Sequence, residues 1–101
     1  MSGTTVVVSY RVVPDRVDTA IREISALIAK VLASGLGCAG ITMLQDANDL
    51  CRITLIERWP SQEQFLGPHM QQPHTQSFIQ AAAIFLEGPP EISFWNTISG
   101  V

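Results

Sequence analysis

Two histidines, His69 and His74, carry the side chains of this chain best suited to moving a proton near neutral pH. His74 lies four residues before Phe78, and His69 lies four residues after Phe65. On helices that spacing sets each imidazole on the same face as an apolar ring. Both imidazoles are therefore expected to look inward. A lone histidine on an apolar face reads most simply as a satisfied, part-buried residue or a helix-end cap. Two on neighbouring inward faces, around a break rich in Gly and Pro, point instead to a pocket with proton-handling chemistry. His69 and His74 are thus the candidate catalytic residues, and Phe65 and Phe78 candidate pocket walls.

Trp59 and Glu57 are two residues apart in a β-rich run, so they share a sheet face. An indole has an apolar body and one N–H donor, so Trp59 can pack a core and wall a pocket at once. Glu57 reads most simply as the partner of a nearby base such as Arg11 or Arg58; the other reading places it on the pocket wall. Ser9 and Arg11 share a face in an otherwise valine-rich run. A polar pair there reads either as pocket lining or as an interface salt bridge, while Tyr10 reads as ordinary strand packing. Trp95 and Asn96 read as dimer-contact or core residues.

Other signatures are missing. There is no Gly-rich phosphate loop, nucleophile elbow, dinucleotide fingerprint or histidine-carboxylate metal motif. No metal and no cofactor is expected on these grounds. The chain has 6 basic and 9 acidic residues, none of the basic ones clustered. That argues against a nucleic-acid partner and a polybasic membrane anchor. No apolar run reaches spanning length, and residues 1–10 lack the basic start of a signal peptide. A cytoplasmic setting is expected. The two cysteines, Cys38 and Cys51, are expected at opposite ends of one hairpin, about 20–25 Å apart. That is too far for an intramolecular disulfide, so both read as small buried apolar residues.

The elements that must position these residues follow from periodicity. Thr4 to Val13 is β-branched and free of Gly and Pro, hence a strand. Pro14-Asp15 ends it, and Asp15 suits an N-cap. Apolar residues at Val17, Ile21, Ile24, Leu27, Ile28, Val31 and Leu32 mark an amphipathic helix that stops near Ser34-Gly35. Cys38–Asp46 and Leu50–Trp59 read as strands joined through Ala47-Asn48-Asp49 into an antiparallel hairpin. Ser61 with Gln64 makes a capping-box pattern. Gly67-Pro68 and Pro73 then predict a short helix, an irregular middle and a longer helix. That longer helix carries Phe78, Ala81, Ala82, Phe85 and Leu86 on one face. Glu91 to Ile98 is the last strand.

The order is βαββαβ, which predicts an α+β, ferredoxin-like domain over residues 4–98 with a four-stranded antiparallel sheet. Right-handed crossovers set both helices on one face of that sheet. The other face keeps Val7, Val13 and Ile56, whereas a solvated face should turn polar. With 47% hydrophobic and 15% charged residues, a second copy of the chain is the simplest cover, and a homodimer is expected.

Ile56 to Phe78 resembles the antibiotic biosynthesis monooxygenase (ABM) family. The pattern is a strand ending in Glu-x-Trp, a Ser-led short helix, a His, then Pro-His before a helical Phe. Here these are Glu57, Trp59, Ser61, His69, Pro73, His74 and Phe78. The helix end from Leu86 to Glu91 is similar too. The resemblance implies a dimeric α+β barrel with an apolar pocket in each subunit. It also implies a cofactor-independent monooxygenase that oxidises a small aromatic, quinol-type or polyketide-derived substrate with O₂. Relatives that degrade haem use a first-strand Asn, where this chain reads Ser9-Tyr10-Arg11, which speaks against haem. A non-enzymatic ligand-binding module is the remaining alternative.

Overall fold

The computed structural model describes residues 3–100. Strands β1 (Thr4–Arg11), β2 (Gly40–Asp46), β3 (Asp49–Trp59) and β4 (Glu91–Trp95) form one antiparallel sheet in the order β2-β3-β1-β4. Helices α1 (Val17–Ala33), α2 (Gln62–Gln64) and α3 (Pro73–Ala81) complete a ferredoxin-like α+β fold. Alternation sorts the sheet sharply. Val6, Val8, Tyr10 and Val12 of the first strand region are buried, as are Ile53, Leu55, Glu57 and Trp59 of β3. Ala20, Ile24 and Val31 of α1 pack against that face, because the 3.6-residue period returns them to one side.

Several element ends differ from expectation, each for a local reason. Asp15 does not cap α1. Pro14 is pre-set for a helical turn, so a 3₁₀ turn forms over Pro14–Arg16 and the cap position moves to Arg16, with no side-chain bond. At the other end Ser34 bonds back to the Val31 carbonyl, and Gly35 and Gly37 take φ of 77° and 93°, which suit glycine. The β2–β3 turn shortens to Ala47-Asn48 because Asp46 pairs with Asp49. β4 stops at Trp95 because Thr5 is its last ladder partner and the Thr4 hydroxyl bonds the Trp95 carbonyl. Cys38 and Cys51 carry free thiols at opposite ends of the hairpin, half-buried rather than buried.

Ser61 does cap α2: its Oγ accepts the Gln64 N–H at 3.0 Å. Gln64 does not return the bond, since its own amide donates to the Leu36 carbonyl. Gly67-Pro68 widens the helix rather than breaking it. Pro68 has no N–H to give, and a π turn runs over Phe65–His69. The break falls after Met70, ahead of Pro73. In α3 and the tight turn Ala82–Ile84, Thr75 and Ala82 are buried while Ala81 faces out.

Truncation should separate core from surface. Ile24, fully buried, should cost about 2–5 kcal/mol as Ile24→Ala. Ile84, 64% exposed, should cost no more than about 0.5 kcal/mol as Ile84→Ala. Urea unfolding checks both, and equal costs would contradict the assigned packing.

Candidate functional site

A cavity of about 470 Å³ lies between the helix-side face of the sheet and the helices. Leu27, Ile28 and Val31 of α1 form one side, and Phe65, Met70 and Phe78 another. Val8 and Leu55 form the floor, and the Glu87–Pro90 segment borders it. That segment is pinned to the end of β1: the Glu87 N–H donates to the Arg11 carbonyl at 2.9 Å, and the Val13 N–H to the Phe85 carbonyl at 2.8 Å. The lining is mainly aliphatic and aromatic, with a few polar groups: Tyr10, Glu57, His69, Thr75 and Glu87. None of the lining residues is Lys or Arg.

His69 projects inward from the π turn and is only 6% exposed. Its ring lies 4.7 Å from the Trp59 ring and 4.9 Å from that of Phe65, centroid to centroid. Its Nδ1 is buried without a hydrogen-bond partner among the described residues. Burial, helped by the nearby His74, pushes its pKa down to about 4. At neutral pH it is an uncharged imidazole, and Nδ1 aims an unused polar atom at its surroundings. The Thr75 hydroxyl, also on the cavity wall and 4% exposed, is unpartnered in the same way.

Trp59 is buried behind the wall rather than in it. Its indole N–H donates to Glu57 Oε1 at 2.8 Å, and Phe65 meets it edge-on at 5.6 Å. Phe65 in turn meets Phe94 of β4 edge-on at 5.7 Å. Glu57 lines the cavity and pairs with no base among the described residues: Arg11 bridges to Asp49 at 3.1 Å and Arg58 reaches the Ala39 carbonyl. Burial raises the Glu57 pKa against the opposing Trp59 hydrogen bond. Burial also raises the Tyr10 phenol, with the Glu57 charge adding to it.

The structure thus brings Glu57, Phe65, His69 and Phe78 to one cavity, with Trp59 in contact with the first three. It does not bring Ser9 or Arg11 there. Alternation along β1 turns both to the opposite face, where Ser9 shares a hydrogen bond with Thr54 at 3.2 Å. His74 is half-buried and does not line the cavity, although its Nε2 is buried and unpartnered. The inward residue at that end of α3 is Thr75. Spacing could have found it, since Thr75, Phe78, Ala82 and Phe85 recur at three and four residues. Tyr10, which reads from sequence as ordinary strand packing, is a second wall residue, on the same face as Val6 and Val8 by strand parity.

Residues 4–81 match the model of the antibiotic biosynthesis monooxygenase family. The chain belongs to that family. No curated protein matches it. Its fold is similar to PA3566 of Pseudomonas aeruginosa, at TM-score 0.85 and 22% identity, covering 98% of this chain and 97% of that one. A Methanosarcina mazei Go1 protein is similar at TM-score 0.82 and 21% identity, over 93% and 91%. A Mycobacterium tuberculosis protein, Rv0793, is similar at TM-score 0.82 and 20% identity, over 96% of each chain.

The buried His69 makes stability depend on pH with a definite sign. Its folded pKa of about 4 lies below the ordinary 6.5, so the unfolded chain takes up the proton first. The contribution is complete above about pH 6.5 and is lost as pH falls towards 4, on the order of 3 kcal/mol in all. Glu57, raised by burial, acts with the opposite sign as pH rises above the ordinary carboxylate range. Urea unfolding of the wild type and His69→Gln across this window isolates the histidine. The variant should lack the acid-side loss, and an unchanged slope would refute the assignment.

Proposed function

We propose that the chain is a cofactor-independent, monooxygenase-like enzyme that oxidises a small aromatic, quinol-type or polyketide-derived compound with O₂, and that it works as a homodimer. One observation carries this reading: an uncharged His69 with a free Nδ1, on the wall of a mainly apolar cavity, in a chain of the monooxygenase family. An activated methylene or phenol of the bound substrate gives its proton to His69. The electron-rich anion then reduces O₂. For a methylene the balance is CH₂ plus O₂ giving C=O plus H₂O, so carbon loses four electrons and the second oxygen leaves as water. The protein binds the ring between Phe65, Met70 and Phe78, restricts water and holds one proton at His69. Because burial disfavours the imidazolium, His69 readily passes that proton on to the departing oxygen.

The homodimer is supported by the sheet face that no helix covers. Val7, Ile56, Leu44 and Trp95 lie on it, Leu44 being 49% and Trp95 59% exposed. A matching face from a second copy removes that apolar area from water. Two free thiols fit a reducing, cytoplasmic setting. No helix among the described residues is long and apolar enough to cross a membrane.

Oxygen uptake with an anthrone and quinol panel, without added metal or flavin, tests the chemistry. Turnover should exceed buffer and fall by about a hundredfold or more in His69→Ala. A base that works unprotonated also sets an acid limb: the rate should hold down to about pH 5 and fall through about 4. Wild type equal to buffer sinks the enzyme reading for those substrates, and saturable binding without turnover supports a binding module instead. Light scattering should return twice the chain mass, with Trp95→Glu shifting the population towards one copy. A monomer at micromolar concentration contradicts the dimer.

A further inference from the structure

Glu57 takes no part in the proton transfer assigned to His69, yet it is the most anomalous group on the cavity wall. It is 4% exposed. Among the described residues no lysine, arginine or histidine lies within ion-pair distance of it. Its one hydrogen bond among them is the Trp59 indole N–H on Oε1. An ionised carboxylate in such a place would be an acceptor with one weak neutral donor and no counter-charge, which is costly. A protonated carboxyl keeps Oε1 as the acceptor for Trp59 and carries its proton on Oε2, the oxygen without a protein partner.

We propose that Glu57 binds the ligand as a neutral carboxylic acid, with Trp59 holding one oxygen while the other donates a hydrogen bond to a carbonyl of an uncharged aromatic ligand. This rests on the reading of the cavity as the ligand site. The titratable groups around Glu57 are consistent with it. Burial raises both Tyr10 on β1 and Cys38 ahead of β2, so each stays uncharged at neutral pH and neither offers Glu57 a counter-charge. His69, reached across the Trp59 ring, is uncharged above about pH 4. The raised Glu57 pKa agrees with the neutral form. With no Lys or Arg on the wall, an anionic ligand would find no counter-charge, so the pocket favours an aryl ketone or quinone-like acceptor. Trp59 is the positioning residue that decides which carboxyl oxygen faces the ligand.

Fluorenone and fluorene differ by one carbonyl and probe this directly, with affinities read by calorimetry across about pH 5 to 9. The wild type should prefer fluorenone by roughly three- to tenfold on the acid side. The preference should fade as pH rises through the Glu57 pKa, because the carboxylate cannot donate. Glu57→Gln keeps an acceptor for Trp59 and a neutral donor for the ligand, so its preference should persist without pH dependence. Glu57→Leu should bind both compounds alike. His74→Gln, measured in parallel, should keep the wild-type profile, and loss of the pH dependence in that variant counts against Glu57. No preference in wild type, or the same pH profile in Glu57→Gln, overturns the proposal, and these two proteins decide it even where Glu57→Leu fails to fold. The readout is equilibrium binding, so it separates from turnover. Oxygen uptake with no carbonyl preference defeats this proposal alone, and a carbonyl preference with no oxygen uptake defeats the enzyme reading alone.

Discussion

A single hydrogen bond inside the core, from the Trp59 indole to Glu57, organises the working end of this molecule. A carboxyl on the inward face of a sheet is destabilising unless something satisfies it. The strand itself supplies the partner two residues on, because alternation returns Trp59 to the same face. The bond fixes the plane of the indole. Its ring then offers one set of contacts to His69 and an edge-on contact to Phe65. Phe65 carries the chain of aromatic contacts on to Phe94 in β4. The helical turn that bears His69 is thereby fastened to two different strands.

That fastening explains how a small domain keeps an open cavity. The tightly packed core sits elsewhere, around Val6, Val12, Ile24, Ile53 and Phe85, each at most 1% exposed. Near the cavity, aromatic contacts and pinned backbone help hold the helical segments in place. The π turn over Phe65–His69 keeps both rings inward despite Pro68. The backbone bonds from Val13 and Glu87 hold the Glu87–Pro90 segment at the edge of the cavity. A volume of about 470 Å³ falls in the range of small-ligand sites.

Much of this was readable in the residues. Element order, the antiparallel hairpin, the Ser61 cap and the inward pairing of Phe65 with His69 all follow from local spacing. The failures are also specific. His74 and Thr75 are adjacent, and both lie within one turn of Phe78, so spacing to that ring alone favours neither. The polar types of Ser9 and Arg11 suggest pocket lining or an interface pair, and only their parity against Val6 and Val8 sets them on the outer face. Asp15 lost the cap because Pro14 started a turn one step early. Trp59 reads from sequence as both core and pocket wall; the structure buries it behind the wall, because α2 and its π turn place Phe65 and His69 in front of the indole.

The sequence by itself determined which face of each strand is apolar, where the chain turns, and that two helices must share one side of the sheet. These are consequences of periods of two and 3.6 and of turn chemistry, all local in range. Only the tertiary structure decided the state of the titratable groups. Whether Glu57 meets a base or an indole, and whether His69 keeps a proton at neutral pH, depends on burial and on neighbours from other elements. Desolvation is a property of the assembled surroundings, and no spacing along one strand or helix encodes it.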